Sequence, residues 1–417
     1  MEEKEDTVAW RRGYYDFFHN YIPLDESDSQ NVFTPYTLCR EITGKLEEYM
    51  CNLKGSDNKE FLALNLEFAD VLMYNYGVRA EQITFITDNP SKAKFAKNSE
   101  RYKGINVICM DFLEWADKVI SLNKQIDALN DGSSVMAKRQ WDVVVGNPPY
   151  QTKSDSDNTK TQAIWHKFVE KSFEVVKENG YVCLIHPSGW RGNGAYLDTG
   201  TKIKSKQVKY LEIHNEKDGI KTFGAETRYD WYISKNSNNI EPTTVLDQSG
   251  NKLSIDISKM PFIPNADLKI IQNLIAKEGE KRVKIIADSS YHTQRELMSK
   301  EQNHIFKYPC IYVVNSVGEL QLWYSNINTK GHFNIPKLVF SNGRISSANY
   351  FIDRKGEYGL TQFSYGIIDD EENFDCIYEA MRSDNFKKIM ESCSVGMLTI
   401  NKDILRTFRK DFWKEFV

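Results

Sequence analysis

The sequence has little of what would mark a secreted, metal-held or membrane-spanning protein. Its seven cysteines, Cys39, Cys51, Cys109, Cys183, Cys310, Cys376 and Cys393, are odd in number, scattered, and nowhere spaced as C-x-x-C. That pattern argues against a disulfide framework and against a zinc site, so no metal is expected, and it fits a reducing compartment. No apolar run approaches the ~18 residues of a membrane span, and no signal-peptide pattern is present. The expectation is a cytoplasmic protein with no membrane partner. Excess positive charge is missing as well. The formal net charge is -4, so composition alone does not point to a nucleic-acid partner. There is no internal repeat.

What is present is length, aromatic content and uneven charge. At 417 residues, with 41% apolar and 27% charged residues, the chain can bury two or three domains. Aromatic residues reach 12%, which suits stacking surfaces and equally suits an aromatic core. Residues 281–360 carry 11 Lys and Arg against 6 Asp and Glu, whereas 361–380 carry six acids and no Lys or Arg. Lys202, Lys204, Lys206 and Lys209 form a second basic stripe. Such runs are either solvated surface or phosphate contacts.

Strand and helix patterns alternate through the first half. Residues 61–64, 83–87, 105–109, 141–146 and 181–185 read as strands, with 209–214 and 228–234 as two closing ones. A helix is expected over 164–178, and residues 116–140 read as a helical insertion with a flexible loop at 130–134. This alternation implies βαβ units and a mostly parallel sheet. The polar run 235–239 marks a domain boundary. The pattern beyond it is irregular, with short aromatic-rich strands at 310–314, 320–324 and 338–340 and a helical tail from Glu372. The expected division is a helical N-terminal extension over 1–30, a sheet domain over 31–238 and a mixed α+β domain over 239–417.

The sharpest local signal is Trp141-Asp142-Val143-Val144-Val145-Gly146-Asn147-Pro148-Pro149-Tyr150. The valine run is a buried strand, and two prolines cannot continue its ladder. Asn147 and Tyr150 therefore sit in a stiff loop at a strand's carboxyl end, where open α/β sheets bind ligands. Read as local structure alone, Asn-Pro is also a common turn starter.

This tetrapeptide after a strand resembles the catalytic motif of S-adenosylmethionine-dependent N6-adenine DNA methyltransferases, and the resemblance covers roughly residues 30–235. It implies a Rossmann-like class I methyltransferase fold. The chemistry explains the residue types. An adenine amine is a poor nucleophile because its lone pair is delocalised into the ring. The Asn147 side-chain oxygen and the Pro148 carbonyl would bind its two hydrogens and favour a tetrahedral nitrogen aimed at the sulfonium methyl. Pro148 and Pro149 hold the loop, and Tyr150 would stack on a base turned out of double-stranded DNA. Phe33-Thr34-Pro35 matches an upstream element that contacts the methionine part of the cofactor. Asp88, ending the second strand, would accept the ribose hydroxyls, and its structural alternative is a helix N-cap. Asp111 would accept from the cofactor adenine amine while Phe112 packs on the ring, unless Phe112 is simply core.

One departure stands out. The family's first strand ends in Asp-Pro-x-x-Gly-x-Gly, whereas Leu64-Asn65-Leu66-Glu67-Phe68-Ala69-Asp70 contains no glycine. Asn65, which tolerates a left-handed backbone, would supply the turn, and Glu67 would accept from the cofactor's ammonium. The order of elements resembles the gamma arrangement, whose C-terminal part recognises the target sequence. Residues 281–360, with Lys330, Lys337, Asn342 and Arg344, are then the expected DNA contact. Pro187, Trp190 and Arg191 are further candidates to line the pocket or the DNA groove. Any restriction endonuclease partner is expected on a separate chain. Two other readings stay open: a methyltransferase acting on an RNA or protein amine or amide, and a catalytically impaired relative that only binds DNA.

Overall fold

The computed structural model describes residues 33–417 except 51–52, 54–57, 130–136, 153–160 and positions 193, 288, 331 and 397. The extension expected over 1–30, the loop at 130–134 and most of the polar stretch after Tyr150 lie outside the described residues. The chain forms two compact units. The first ends at Lys259; the second runs from Met260 to Val417 and takes in a short stretch beginning at Arg191.

The first unit opens with helix α1 (Tyr36–Met50), followed by β1 (Phe61–Ala63), α2 (Leu66–Tyr76) and β2 (Ile83–Thr87). Helix α3 (Pro90–Asn98), β3 (Asn106–Cys109), α4 (Phe112–Leu129) and β4 (Trp141–Gly146) complete the first half. Then come α5 (Trp165–Val175), β5 (Val176–Pro187), α6 (Leu197–Lys204), β6 (Gln207–Ile213), α7 (Glu216–Phe223) and β7 (Tyr229–Lys235). Two further strands, β8 (Thr243–Leu246) and β9 (Lys252–Ile255), follow. They belong to the same sheet, whose order is β3-β2-β1-β4-β5-β7-β6-β8-β9. Strand β8 pairs parallel to β6, so this unit runs about twenty residues past the polar boundary expected at 238. The run 235–239 is a turn within the sheet. The pairs from β3 through β5 are parallel, and β7 lies antiparallel between β5 and β6. This is the expected Rossmann-like class I α/β fold.

Burial dictates the order. Strands β1 and β4 are central and their residues read as near-continuous apolar runs, as parallel strands covered on both faces must. Helices α1 and α2 cover one face, where Leu38, Ile42 and Leu46 join Phe61, Ala63, Phe68, Val143 and Val145 in one core. Helix α4, expected as part of an insertion, is instead the regular crossover between β3 and β4. Its Phe112 stacks on Phe168 of α5 with centroids 5.0 Å apart. The chain reverses its direction of winding between β1 and β4, which opens a crevice at their carboxyl ends.

The second unit is mixed α+β, as expected. One sheet has the order β10 (Lys284–Ile286), β17 (Ser364–Ile368), β14 (Lys337–Ser341), β15 (Tyr350–Asp353). The other has the order β11 (Met298–Ser299), β13 (Leu320–Ser325), β12 (Tyr308–Val314), β16 (Gly359–Leu360). Helices α8 (Leu268–Leu274), α9 (Phe374–Arg382), α10 (Asp384–Cys393) and α11 (Lys402–Leu405) accompany them. Phe340 and Ile367 pack with Ile377, Phe386 and Ile404 from three of these helices in its main core. No helix among the described residues is long and apolar enough to cross a membrane.

Candidate active site

The crevice at the β1/β4 reversal holds a cavity of about 690 Å³, within the roughly 300–1,000 Å³ typical of small-molecule sites. It is built from strand ends. Strand β2 delivers Asp88 and the end of β3 delivers Asp111 and Phe112, while β4 delivers Asn147, Pro148, Pro149 and Tyr150. The sequence reading placed all of these at a site, and the fold brings them to one cavity.

Their local roles differ. The N-cap of α3 is Asn89, whose Oδ1 accepts from the Ser91 and Lys92 amides at 2.9 and 3.1 Å. The capping alternative considered for Asp88 is thereby filled by its neighbour. Asp111 itself does cap: its Oδ1 accepts from the Glu114 amide at 2.9 Å, at the start of α4. Phe112 is both core and cavity wall, buried between Phe168 and Trp115.

Asn147 is buried, and its Oδ1 has no hydrogen-bond partner among the described residues. An orphaned acceptor in a protein interior costs free energy, so it points to a donor that arrives from elsewhere. The Tyr150 hydroxyl is likewise buried and without a partner among the described residues. Burial above all, with Tyr229 and Asp230 nearby, pushes that phenol far above its usual range, so it stays neutral. Ile164 N–H donates to the Tyr150 carbonyl at 3.0 Å and Thr152 N–H to the Gln162 carbonyl at 2.8 Å.

The glycine-free loop differs from expectation. Asn65 has extended backbone angles, φ -136° and ψ 142°, so it supplies no left-handed turn. It precedes α2 without capping it, because its carboxamide is spent elsewhere. Oδ1 accepts from the Asn147 N–H at 2.5 Å, and Nδ2 donates to the Asn147 carbonyl at 3.1 Å. Glu67 is buried in the first turn of α2, where its Oε1 accepts from the Thr34 N–H at 3.1 Å. It ties the Phe33-Thr34-Pro35 element to α2. None of Phe33, Thr34, Pro35 and Glu67 lines the cavity, because this bond turns the Glu67 carboxylate toward the start of α1.

Sequence reasoning missed several wall residues: Ile86, Thr87, Phe168 and the loop Phe223 to Thr227. That loop folds tightly back on α7. A Cβ at Gly219 would lie 2.0 Å from the Thr227 carbonyl oxygen, so only glycine permits the approach. The pair Gly219 and Gly224 was the available signal. Other candidates leave the site. Trp190 is buried and donates from Nε1 to Asp230 at 2.9 Å. Arg191 is buried and bonds Ile263 and Asn265. In the Lys202–Lys209 stripe, Lys202 and Lys209 pair with Glu174 and Glu241.

In the second unit Lys330, Asn342 and Arg344 are exposed. Lys337 is not. Its Nζ is fully buried against Asp353 at 2.6 Å and also donates to the His332 and Ile335 carbonyls. It holds the fold and cannot reach DNA.

Comparison with known proteins bears on this domain. Residues 60–223 match the model of the Eco57I restriction-modification methylase family. That stretch contains every cavity residue except Ala225, Glu226 and Thr227. An uncharacterized adenine-specific methylase of Mycoplasma pneumoniae is 27% identical over 174 residues, which are 38% of this chain and 40% of that protein. The chain thus spans less than half the length of that relative. Among solved structures, a type I restriction-modification methyltransferase subunit of Streptococcus thermophilus is 16% identical, with a TM-score of 0.37 over 56% of this chain and 53% of that one. The type IIG restriction endonuclease BpuSI is 9% identical, with a TM-score of 0.44 over 92% of this chain and 60% of that one. The resemblance read from Asn147 to Tyr150 is to restriction–modification adenine methylases, and the family match covers the same residues.

Proposed function

We propose that the chain transfers a methyl group from S-adenosylmethionine to the exocyclic amine of a flipped-out adenine in a specific double-stranded DNA sequence. One observation carries the reading: Asn147, whose buried Oδ1 has no partner among the described residues, lines a cavity together with two strand-end carboxylates and an aromatic ring. That set of acceptors beside an apolar ring fits a nucleoside. Asp88 is placed to accept ribose hydroxyls and Asp111 to accept an adenine amine through the carboxylate oxygen that does not cap α4. Phe112, backed by Phe168, offers an apolar face to a ring. When bound, the cofactor supplies a methyl group on a cationic sulfur.

The rest falls to Asn147 and its neighbours. Asn147 Oδ1 and the Pro148 carbonyl each accept one hydrogen of the target amine, which directs the nitrogen lone pair toward the methyl carbon. The cofactor would supply its methyl carbon to that nitrogen as the carbon–sulfur bond breaks, and the nitrogen would release its surplus proton to water. Pro148 and Pro149 keep these acceptors from relaxing away. Tyr150, neutral and half-buried, stacks on the extruded base. The second unit reads the sequence, with Lys330, Asn342 and Arg344 as exposed contacts. The family match supports a restriction–modification setting.

The test is to map modified bases in DNA from cells that express this chain, beside an Asn147→Ala control. N6-methyladenine at one short motif, absent from the control, is expected. Unmodified DNA, or methylation of RNA or protein instead, refutes the assignment.

A further inference from the structure

From this geometry we infer that Asn65 is a positioning residue for methyl transfer, a clamp that fixes the Asn147 peptide so that its side chain is presented to the target amine. The inference rests on the proposed reaction, but the clamp itself is a matter of geometry. Asn65 leaves the end of β1 and Asn147 leaves the end of β4, and these strands are parallel neighbours with Ala63 opposite Val145. The Leu64 N–H continues the ladder by donating to the Val145 carbonyl at 3.0 Å. One step further the next donor is the Asn147 N–H, which goes to a side chain instead, and beyond it Pro148 and Pro149 have no N–H to extend the ladder. The Asn65 carboxamide takes over, accepting from the Asn147 N–H at 2.5 Å and donating to the Asn147 carbonyl at 3.1 Å. The orientation of the amide is fixed by chemistry, because a backbone N–H only donates and a carbonyl only accepts.

A second observation is independent of those bonds. A Cβ on Gly146 would lie 2.6 Å from Leu64 Cβ and 2.9 Å from Asn65 Oδ1. The close approach of the two strand ends therefore requires glycine at 146. Elsewhere in such sheets the loop after the first strand carries glycines so that a ligand can approach its backbone. Here the glycine is on the opposite strand, and the loop after β1 supplies a side chain that grips the catalytic segment. Both ends of the carboxamide are engaged with the Asn147 peptide, so the orientation of Asn65 beside the cavity is set by that segment.

Among the described residues no other side chain bonds the Asn147 N–H or carbonyl, so a small loss of position reaches Oδ1 directly. A displacement near 1 Å at a reacting group can cost on the order of 100-fold in rate. Asn65→Ala in the full chain should therefore lower kcat by about 10- to 100-fold. S-adenosylmethionine affinity by calorimetry and KM should stay near wild type. Asn65→Asp keeps an acceptor for the Asn147 amide and loses the donor, so it should recover part of kcat. A readout free of activity is hydrogen exchange at the Asn147 amide. It should quicken about tenfold in Asn65→Ala, as loss of one hydrogen bond implies, while amides inside β4 keep their protection. Unchanged exchange at Asn147, or weakened cofactor binding with an intact kcat, overturns the clamp. If the wild-type protein transfers no methyl group, the proposed function fails, and the exchange measurement still decides whether Asn65 holds Asn147. Should Asn65→Ala not fold, Asn65→Asp carries the same comparison.

Discussion

Replacing Asn147 by Ala should stabilise the protein while abolishing methyl transfer. The Asn147 backbone is held from outside by Asn65, so the segment does not depend on its own side chain for position. That side chain costs the fold something, because Oδ1 is buried without a partner among the described residues. An unsatisfied buried acceptor costs about 1–3 kcal/mol. Truncation removes that cost and gives up the few contacts of a side chain on a cavity wall, roughly 1 kcal/mol. The net is a gain of up to ~2 kcal/mol, or a few degrees in melting temperature for a unit of this size. Activity should move the other way. Losing the acceptor that polarises the target amine should cost more than 100-fold, about 2.7 kcal/mol of barrier. Thermal melting without ligand and single-turnover methylation of duplex DNA measure the two effects on one preparation. A melting temperature lowered by several degrees makes Asn147 a structural residue. A rate above a tenth of wild type, a deficit under about 1.4 kcal/mol, removes it from the chemistry.

Five residues give further tests. Asp88→Ala should weaken S-adenosylmethionine binding by calorimetry; Asp111→Ala should weaken it too and also lower the melting temperature of the free protein, losing the Glu114 cap at about 0.5–2 kcal/mol. For Glu67, burial outweighs the opposing pull of Lys92 and raises the carboxyl above its ordinary value of 4.5. The folded state thus holds that proton to higher pH than the unfolded chain. The stability this gives is whole below 4.5 and is lost as pH rises through the folded value. Glu67→Gln keeps an oxygen for the Thr34 N–H, so its melting temperature should exceed wild type at neutral pH and converge with it in acid, with cofactor affinity unchanged; a large loss of affinity would return Glu67 to the cofactor site. Lys337→Ala leaves Asp353 buried and unpaired and should cost about 3–5 kcal/mol on thermal melting, whereas Arg344→Ala should melt normally and weaken DNA binding with a shallower salt dependence.

The sheet was legible because its strands are short apolar runs that end in recognisable ways. Ile83 to Thr87 ends at Asp88, Asn106 to Cys109 before Asp111, and Trp141 to Gly146 at two prolines, and the cavity gathers all three ends. The boundary at 238 was misplaced because a polar turn inside a sheet and a polar linker look alike in composition. Only pairing shows that β8 returns beside β6. Lys337 was misread for a related reason. A basic stretch gives a sum, while each lysine's environment depends on what packs around it, and Lys337 faces Asp353 from the neighbouring strand. The walls at Phe223 to Thr227 depend on a loop approach that two glycines allow but do not specify.

Asn65 is the instructive case, because the information was present and needed one more step. Considered within its own loop, it is a residue standing where glycines were expected, and local backbone preference suggested a left-handed turn. Its backbone is in fact extended. The sheet order supplies what the loop cannot. Once β1 and β4 are neighbours running the same way, the first residues past their ends must face each other across one strand spacing, roughly 5 Å. A carboxamide there can bridge both polar groups of the opposite peptide, and a glycine before that peptide lets it come close. Asn65 and Gly146-Asn147 meet those conditions together. A loop that has lost its glycines therefore need not have lost its part in the reaction. In this fold the opposite strand end is near enough to give that side chain another partner, and here the partner is the Asn147 peptide.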